Sequence, residues 1–188
     1  MMRRLIVMCL VFLTIISAGC TKDETVVQVI HTPLFTCNLN GTSVFVANNY
    51  SFSPVYKVVA YPQDTTLPAQ VYNRFTMQAI GSDDSGNNYQ LIITFDAADK
   101  NQLIGSYSPF YSKQMGLSQV QLYNLTNSNN PIAYSLCQDS LAKDVFQIRN
   151  QSQSQNLITG AFHMTICNSR DTTVKISISN GIFNNIKY

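Results

Sequence analysis

The sequence is poor in the residues on which most enzyme chemistry depends. Charged residues make up only 12% of its 188 residues, and it has two histidines and no tryptophan. It contains no G-x-S-x-G elbow, no H-E-x-x-H pair and no glycine-rich phosphate loop, which excludes the common signatures of serine hydrolases, zinc proteases and nucleotide-binding enzymes. Its cysteines form no C-x-x-C or cysteine–histidine cluster, so we expect no metal site and no cofactor.

A short apolar segment opens the chain. Two arginines precede the uncharged run Leu5–Ile16, which is too short to span a bilayer. Small residues then lead to Cys20, whose thiol can carry a diacylglyceryl group. The pattern resembles the lipobox of bacterial lipoproteins, with Ser17 where an aliphatic residue is usual. It predicts a signal peptide over residues 1–19 and a lipid on Cys20 that anchors the protein to a membrane; the alternative is an ordinary secretory signal.

The residues after the anchor cysteine also predict where the protein is located. Lys22 is followed by Asp23 and Glu24, which resembles the surface-export signal of Bacteroidota lipoproteins. The resemblance implies that the protein lies on the outer face of the outer membrane. The alternative is a polar tether without a localisation signal, with the protein on the periplasmic face. We therefore expect a lipidated tether over residues 20–33 and a β domain over residues 34–188.

The charge balance argues against nucleic acid as a partner. Removal of the signal takes two of the 12 basic residues with it and leaves ten basic and ten acidic residues. A chain without net charge has no basic patch to bind a phosphate backbone. We expect the polar surface to consist mainly of Asn, Gln, Ser and Thr, as in an extracytoplasmic β protein.

Short runs of β-forming residues, separated by turn signals, extend along the rest of the chain. In Val174–Ile178 apolar residues alternate with polar ones, which is the period of a strand with one buried face. Asn40-Gly41 predicts a tight hairpin, and we interpret Asn180-Gly181 as a turn as well. Asp139–Asp144 is the best candidate for a single helical turn. Roughly ten short strands predict an all-β domain, either an antiparallel sandwich or a barrel.

Three cysteines remain once Cys9 leaves with the signal and Cys20 is acylated. They are Cys37, Cys137 and Cys167. An oxidising compartment allows a Cys137–Cys167 bridge, because each of these two residues ends a strand-like run. The interpretation that we favour is three separate buried thiols, since free cysteine packs as a small hydrophobic residue.

Several short motifs resemble those of small Bacteroidota lipoproteins of unknown function. The motifs consist of turn glycines and core aromatic residues, so they imply a β domain and supply no activity. They are Phe35-x-Cys37-x-Leu39-Asn40-Gly41 followed by Phe45, then Gly105-Ser106-Tyr107, and finally Gly160-Ala161-Phe162 and Asn180-Gly181-x-Phe183.

Two groups of acidic residues are candidates for chemistry. Asp96 and Asp99 follow a strand-like run, and glycoside hydrolysis requires such a pair of carboxylates. Turn formation beside Lys100 is the interpretation that we favour for them. The loop Asp83–Asn88 offers oxygen ligands for Ca²⁺ but lacks the spacing of an EF-hand, and an Asx-rich hairpin loop explains it better. We expect His163 to face solvent from a strand.

Aromatic residues near loops and strand ends are the best candidates for ligand contacts. A platform of tyrosines can stack on sugars, although core packing explains most of these residues. The candidates are Tyr50, Tyr56, Tyr61, Tyr107, Phe110 and Tyr111.

Three sites match a pattern that resembles the O-glycosylation sequon of exported Bacteroidota proteins. The acceptors are Thr65, Ser140 and Thr172, each preceded by an aspartate. Turn formation by the Asp-Ser and Asp-Thr pairs is the alternative explanation.

The sequence therefore predicts a non-enzymatic, lipid-anchored β domain of the outer membrane. The function that we expect is binding of a glycan, a peptide or a partner protein. The alternatives are a structural envelope or adhesion component, in which edge strands pair with neighbouring molecules, and a hydrolase built on Asp96 and Asp99.

Overall fold

Strands form most of the domain, as the alternation of apolar and polar residues predicts. The computed structural model describes residues 34–53, 57–60, 68–139 and 141–188, all of which belong to one unit, His31–Tyr188. The predicted signal peptide and tether lie outside the described residues. So do the candidate residues Cys20, Lys22, Asp23, Glu24, Thr65 and Ser140.

The strands are numbered in chain order. They are β1 (Leu34–Leu39), β2 (Ser43–Ser53), β3 (Lys57–Ala60), β4 (Gln70–Asp83), β5 (Asn88–Ala97), β6 (Gly105–Tyr107), β7 (Met115–Asn124), β8 (Ile132–Leu136), β9 (Val145–Ser152), β10 (Leu157–Asn168) and β11 (Lys175–Lys187). One 3-10 turn, Leu141–Lys143, lies in the segment predicted to contain a helical turn. Within the described residues there is no helix long and apolar enough to cross a membrane.

Eight of the strands close into an antiparallel up-and-down barrel. Around the ring, each strand pairs with the next in the order β1, β2, β4, β5, β7, β8, β10 and β11, and β11 returns to pair with β1. Closure removes most of the free edges that an open sheet exposes. The predicted all-β fold is confirmed, and of its two alternatives the domain adopts the barrel.

The other three strands extend the barrel. β3 pairs with residues 70–73 of β4, beyond the part of β4 that pairs with β2. β9 pairs with residues 157–163 of β10, and β8 pairs with residues 166–168 of the same strand. β8 and β9 therefore follow one another along one edge of β10, and β6 pairs with β9.

Apolar side chains fill the interior of the barrel. A continuous series of ring contacts, with centroids 4.9 to 6.5 Å apart, runs through it from one end to the other. An eight-stranded barrel is just wide enough for side chains to fill, and each aromatic pair contributes about 0.5–1.5 kcal/mol beyond its buried area. In order, this aromatic series consists of Phe52, Phe75, Phe95, Phe146, Phe183, Phe162, Phe35, Phe45 and Tyr89.

The predicted hairpin at Asn40-Gly41 is confirmed. Leu39 at the end of β1 pairs with Ser43 at the start of β2, and the loop between them contains Asn40 at φ 52° and Gly41 at φ 80°. Glycine adopts positive φ without steric cost, and asparagine does so more readily than other residues with a side chain. The dipeptide is therefore suited to a tight reversal.

The predicted turn at Asn180-Gly181 is wrong, because β11 continues through it. Ile176 and Ile178 are buried before the dipeptide, whereas Gly181 and Phe183 are buried after it, so the alternation shifts by one residue. The pairings with β1 and with β10 shift at the same point. One extra residue inserted into a paired strand is a β-bulge, which bends the strand and increases its twist.

A second bulge near the end of β11 restores the first alternation, so that Ile186 is buried again. Asn180 and Asn185, one at each bulge, have φ of 50° and 53°. Gly181 lies against the ring and carbonyl of Phe162, where a Cβ atom would collide. The first bulge therefore depends on asparagine for its backbone angle and on glycine for its close approach to β10.

Cys137 and Cys167 form a disulfide that links the end of β8 to β10. The interpretation of three separate thiols is wrong for this pair, because the pairing of Ser135 with Cys167 places β8 beside β10 and brings the cysteine Cα atoms within 5.1 Å. Cys37 is the free cysteine among the described residues, and burial raises the pKa of its thiol to about 12. The reactive thiolate of Cys37 is therefore scarce at neutral pH.

Replacing both bridged cysteines, Cys137→Ala with Cys167→Ala, is expected to destabilise the domain by about 3 kcal/mol. A cross-link that spans 30 residues restricts the unfolded chain by roughly that amount. The free energy of unfolding is measured in guanidinium chloride, with the reduced wild-type protein as the matched control. Equal stability of the oxidised wild type and the double variant would contradict the expectation.

Candidate functional site

One end of the barrel carries an open cavity of about 260 Å³. Strands β2, β5, β9 and β11 end there, and β4 and β10 begin there. The open ends of β-barrels are common places for ligands. We call this cavity the mouth site, and its described lining consists of Phe52, Phe75, Lys100, Asn101, Gln153, Asn156 and Tyr188.

One wall of the mouth site is aromatic. The ring centroid of Phe52 lies 5.6 Å from that of Phe75 and 6.1 Å from that of Tyr188. Phe75 is only 2% exposed and stacks on Phe95 below it. Phe52 and Tyr188 are half-buried and line the cavity. The wall is therefore the outer end of the aromatic series, held by the packed core.

Tyr188 is fixed at both its backbone and its side chain. Its backbone N–H donates to the carbonyl of Asn156 at 2.9 Å, and its hydroxyl oxygen accepts a hydrogen bond from Nε2 of Gln151 at 2.6 Å. Oε1 of Gln151 accepts in turn from the backbone N–H of Leu103 at 2.8 Å. Gln151 thus connects the tyrosine to the loop that follows β5.

A second wall of the mouth site is made of amides, one of which, Asn156, adjoins Tyr188. Nε2 of Gln153 donates to the backbone carbonyl of Asn101 at 2.7 Å, which ties the β9–β10 turn to the loop after β5. The side-chain amides of Asn101 and Asn156 make no hydrogen bond to any described residue, and neither does Oε1 of Gln153. An amide offers both donors and acceptors, so this wall can pair with groups of either kind.

The mouth site carries little charge. Lys100 is the one charged side chain in its described lining, and Asp99 precedes it in the same loop, where its Oδ1 accepts the N–H of Asn101 at 2.8 Å. No side chain of the described lining is a carboxylate, a histidine, a serine or a cysteine. The arrangement is suited to holding an uncharged polar molecule and supplies none of these groups for proton transfer or nucleophilic attack.

The structure separates the two carboxylates considered for hydrolysis. Asp96 is fully buried, with one oxygen 2.8 Å from Nε of Arg74 and the other accepting from Nη2 of Arg74 and from the Tyr111 hydroxyl. Burial and the hydrogen bond to Asp96 raise the pKa of Tyr111 to about 12. Asp99 is exposed and closes a turn, as the favoured interpretation predicts. Asp96 therefore acts as the anchor of a buried network.

The described residues considered for a tyrosine platform do not line the mouth site, and core packing, the favoured explanation, accounts for Tyr107. Tyr107 is buried in the core, with its hydroxyl donating to the Leu103 carbonyl, and Tyr111 covers Asp96. Phe110 is exposed and Tyr50 half-buried, and both lie outside the lining of the mouth site. The other two candidates, Tyr56 and Tyr61, lie outside the described residues.

The aromatic residues of the mouth site were not among the sequence candidates. A bulge between Ala47 and Asn49 shifts the alternation of β2, so that Tyr50 and Phe52 pack against the core. The pattern Tyr50-x-Phe52 is a detectable period-2 signal just beyond the predicted strand. No comparable local signal marks Tyr188. It is distant from Phe52 in the sequence, and only the pairing of β11 in the barrel brings the two residues together.

The loop considered for Ca²⁺ satisfies its own carboxylate. Asp83 accepts hydrogen bonds from the backbone N–H groups of Ser85 and Asn87 and from the side chains of Asn87 and Ser43, at 2.8 to 3.0 Å. Burial alone would raise the pKa of Asp83, but these hydrogen bonds outweigh it and lower the pKa. The Asx-rich hairpin loop is therefore the right interpretation.

Three other groups of residues lie outside the lining of the mouth site. Cys137, Asp139 and Cys167 cluster closely enough for a metal site, but the disulfide removes both thiolates and Asp139 forms an ion pair with Lys175. His163 is exposed on β10, as its alternation predicts. Thr172 is exposed in the turn between β10 and β11, so its glycosylation stays a prediction.

Asp144 lies next to β10, between the end of β8 and the start of β9. Its Oδ1 accepts the backbone N–H of Thr165 at 2.9 Å, and the carbonyl of Thr165 accepts the N–H of Cys137 at 3.1 Å. Asp144 is 1% exposed, and its Oδ2 has no hydrogen-bond partner among the described residues. Burial raises the pKa of this carboxyl, and the hydrogen bond from Thr165 only partly opposes the rise.

Comparison of the chain with protein-family models, with curated proteins and with solved structures gives no match. We therefore derive a function from the chemistry of the site.

Asp144→Asn is expected to stabilise the domain at pH 7 and to have little effect near pH 3. The raised pKa means that the folded state disfavours the carboxylate, so stability contributed by the protonated group is lost as pH rises through the raised pKa. Asparagine keeps an oxygen for the N–H of Thr165 and never ionises. The free energy of unfolding is measured at both pH values.

Asp139→Asn is the control with the opposite sign. The hydrogen bond from Lys175 lowers the pKa of Asp139, so this variant is expected to lose stability at pH 7 relative to pH 3. A change in stability for Asp144→Asn that is the same at pH 3 and pH 7 would contradict the role assigned to its ionisation.

Proposed function

We propose that this protein is a lipid-anchored, non-catalytic binding module of the bacterial cell surface whose ligand occupies the mouth site. The observation that carries the proposal is the convergence, at one end of a closed barrel, of the half-buried rings of Phe52 and Tyr188 with the exposed side-chain amides of Asn101 and Asn156, which make no hydrogen bond to any described residue. Because these amides are exposed, a ligand can replace the water around them.

The chemistry of the lining supports binding over catalysis. Its charged group is Lys100, and its hydroxyl belongs to Tyr188, whose oxygen is engaged by Gln151. The alternative of a hydrolase loses its support, because Asp96 is occupied by Arg74 and Tyr111 and lies outside the mouth lining. An adhesion component would need unpaired edge strands that can pair with neighbouring molecules. Ring closure leaves the short strands β3 and β6 as the main edges among the described strands, so this alternative has little support.

The N-terminal sequence is the reason why the proposal includes a lipid anchor. The lipobox-like segment ending at Cys20 and the following Lys22-Asp23-Glu24 support export, lipidation and display on the outer surface. β1 runs away from the mouth, and its first residue, Leu34, pairs with Asn184 near the end of β11. The mouth site and the start of the described domain are therefore at the same end of the barrel.

Cys20→Ser is expected to abolish lipid labelling of the full-length chain. Only the thiolate of Cys20 is in position to be acylated if the segment is a lipobox. Cells that express the chain are grown with an alkyne fatty acid, and incorporation into the protein is measured, with Cys9→Ser as the matched control that keeps the label. A labelled Cys20→Ser protein would rule out the assigned anchor.

Replacing Lys22, Asp23 and Glu24 by alanine is expected to leave the lipid in place and to lower exposure at the cell surface. The readout is digestion of the protein by protease added to intact cells. If the triple variant is digested as readily as the wild type, surface exposure does not depend on these three residues.

The double variant Asn101→Ala/Gln153→Ala is expected to lose ligand binding while it keeps the fold. Both residues are exposed, so removing them costs little stability. The full-length lipoprotein in detergent is tested against neutral oligosaccharides, acidic oligosaccharides and uncharged peptides. The matched control is Asn129→Ala/Gln138→Ala, which removes the same residue types from exposed positions elsewhere. Absence of binding by every probe class, or binding that ignores the mouth variant, would contradict the proposed function.

A further inference from the structure

We infer that the mouth site takes one neutral hexose unit of a glycan, packed against the rings of Tyr188 and Phe52, which are inclined at 65° to each other, and hydrogen-bonded to the amides of Asn101, Gln153 and Asn156. The inference deepens the proposed function and depends on it. It is carried by three independent properties of the site, which are its size, its mixed wall chemistry and its low charge.

The size of the cavity limits what can enter. Pockets for drug-sized ligands usually occupy about 300–1,000 Å³, and the mouth site, at about 260 Å³, is smaller. It therefore suits a single ring rather than a folded peptide or an acyl chain. Because the cavity is open to solvent at the rim, the rest of a longer chain can continue outwards from the bound unit.

The two walls match the two kinds of surface on a hexose. A hexose ring presents C–H groups on its faces and hydroxyl groups around its edge. The π face of an aromatic ring is electron-rich and apolar, so it packs against C–H groups. A hydroxyl is donor and acceptor at once, and a side-chain amide provides both complements. A purely apolar ligand would make no use of the exposed amides of Asn101 and Asn156.

The charge of the site argues for a neutral sugar. Recognition of carboxylates, sulfates or phosphates uses bidentate or clustered cations, and the described lining offers Lys100 alone, with Asp99 next to it in the chain. A neutral ligand makes contacts that salt does not screen. Binding should therefore change less than about twofold between about 0.05 M and 0.5 M NaCl.

The position of Tyr188 predicts which of its atoms matters. Its hydroxyl oxygen already accepts from Gln151, and we assign the contact with the sugar to the ring rather than to the remaining hydroxyl proton. Tyr188→Phe keeps the ring and should bind within about threefold of the wild type, whereas Tyr188→Ala should weaken binding about tenfold, the loss of one aromatic contact. Tyr123→Ala is the matched control, because Tyr123 is a half-buried tyrosine of β7 that does not line the mouth site.

The experiment is isothermal titration of the full-length lipoprotein in detergent with defined neutral gluco-, manno-, galacto- and xylo-oligosaccharides. Binding by at least one hexose series, with the stated order of the Tyr188 variants and recovery of the oligosaccharide uncleaved, supports the inference. Far-ultraviolet circular dichroism of each variant establishes that it is folded, and Tyr188→Phe provides the comparison that does not depend on Tyr188→Ala.

Three outcomes would overturn the inference, and they differ in what they say of the proposed function. Mouth-dependent binding of peptides, of acidic oligosaccharides or of the pentose-based xylo-oligosaccharides, without binding of any hexose series, removes the hexose and leaves a binding module. Neutral sugars that bind equally well to Tyr188→Ala place the sugar elsewhere on the protein. Failure of every probe at the mouth removes the proposed function together with the inference.

Discussion

The hydrogen-bond ladders along the two edges of β11, to β1 and to β10, turn the sheet into a barrel. Without them β1 and β10 would be free edges at opposite ends of an open sheet, and their apolar faces would lack a common interior. The two bulges make this closure compatible with burial. The buried residues of β11 follow one alternation before each bulge and the other after it. Without the bulges, part of them would point outward, because a shift of one residue reverses the direction of every side chain.

The same dipeptide has two different structures in this chain, which shows where local sequence stops being informative. Asn-Gly specifies a backbone that tolerates positive φ, and at residues 40–41 this property makes a hairpin. At residues 180–181 the same property makes a bulge, because strands on both sides continue to pair with the chain. Reversal or continuation is decided by long-range pairing. The strand regions were therefore predictable from period-2 patterns, whereas the fate of the second Asn-Gly was not.

The mouth site illustrates the same limit at the level of side chains. Phe52 and Tyr188 meet because β2 and β11 flank the short strand β1, and that arrangement exists only in the closed barrel. Loop position was a poor guide to the lining of the mouth site, since Tyr107 packs in the core and the hydroxyl of Tyr111 donates to Asp96. Strand propensity and turn chemistry are local properties, and the candidate site is a product of closure.

The aromatic series has a thermodynamic consequence for anything that binds at its outer end. Phe52 and Phe75 belong both to the cavity wall and to the packed interior, so the aromatic part of the site forms only when the core does. Occupancy and global folding are therefore linked equilibria: a ligand present at a hundred times its dissociation constant would add about 2.7 kcal/mol to the free energy of unfolding of the whole domain. A shift in melting temperature would then report occupancy without any label, and substitutions deep in the barrel would alter apparent affinity from a distance.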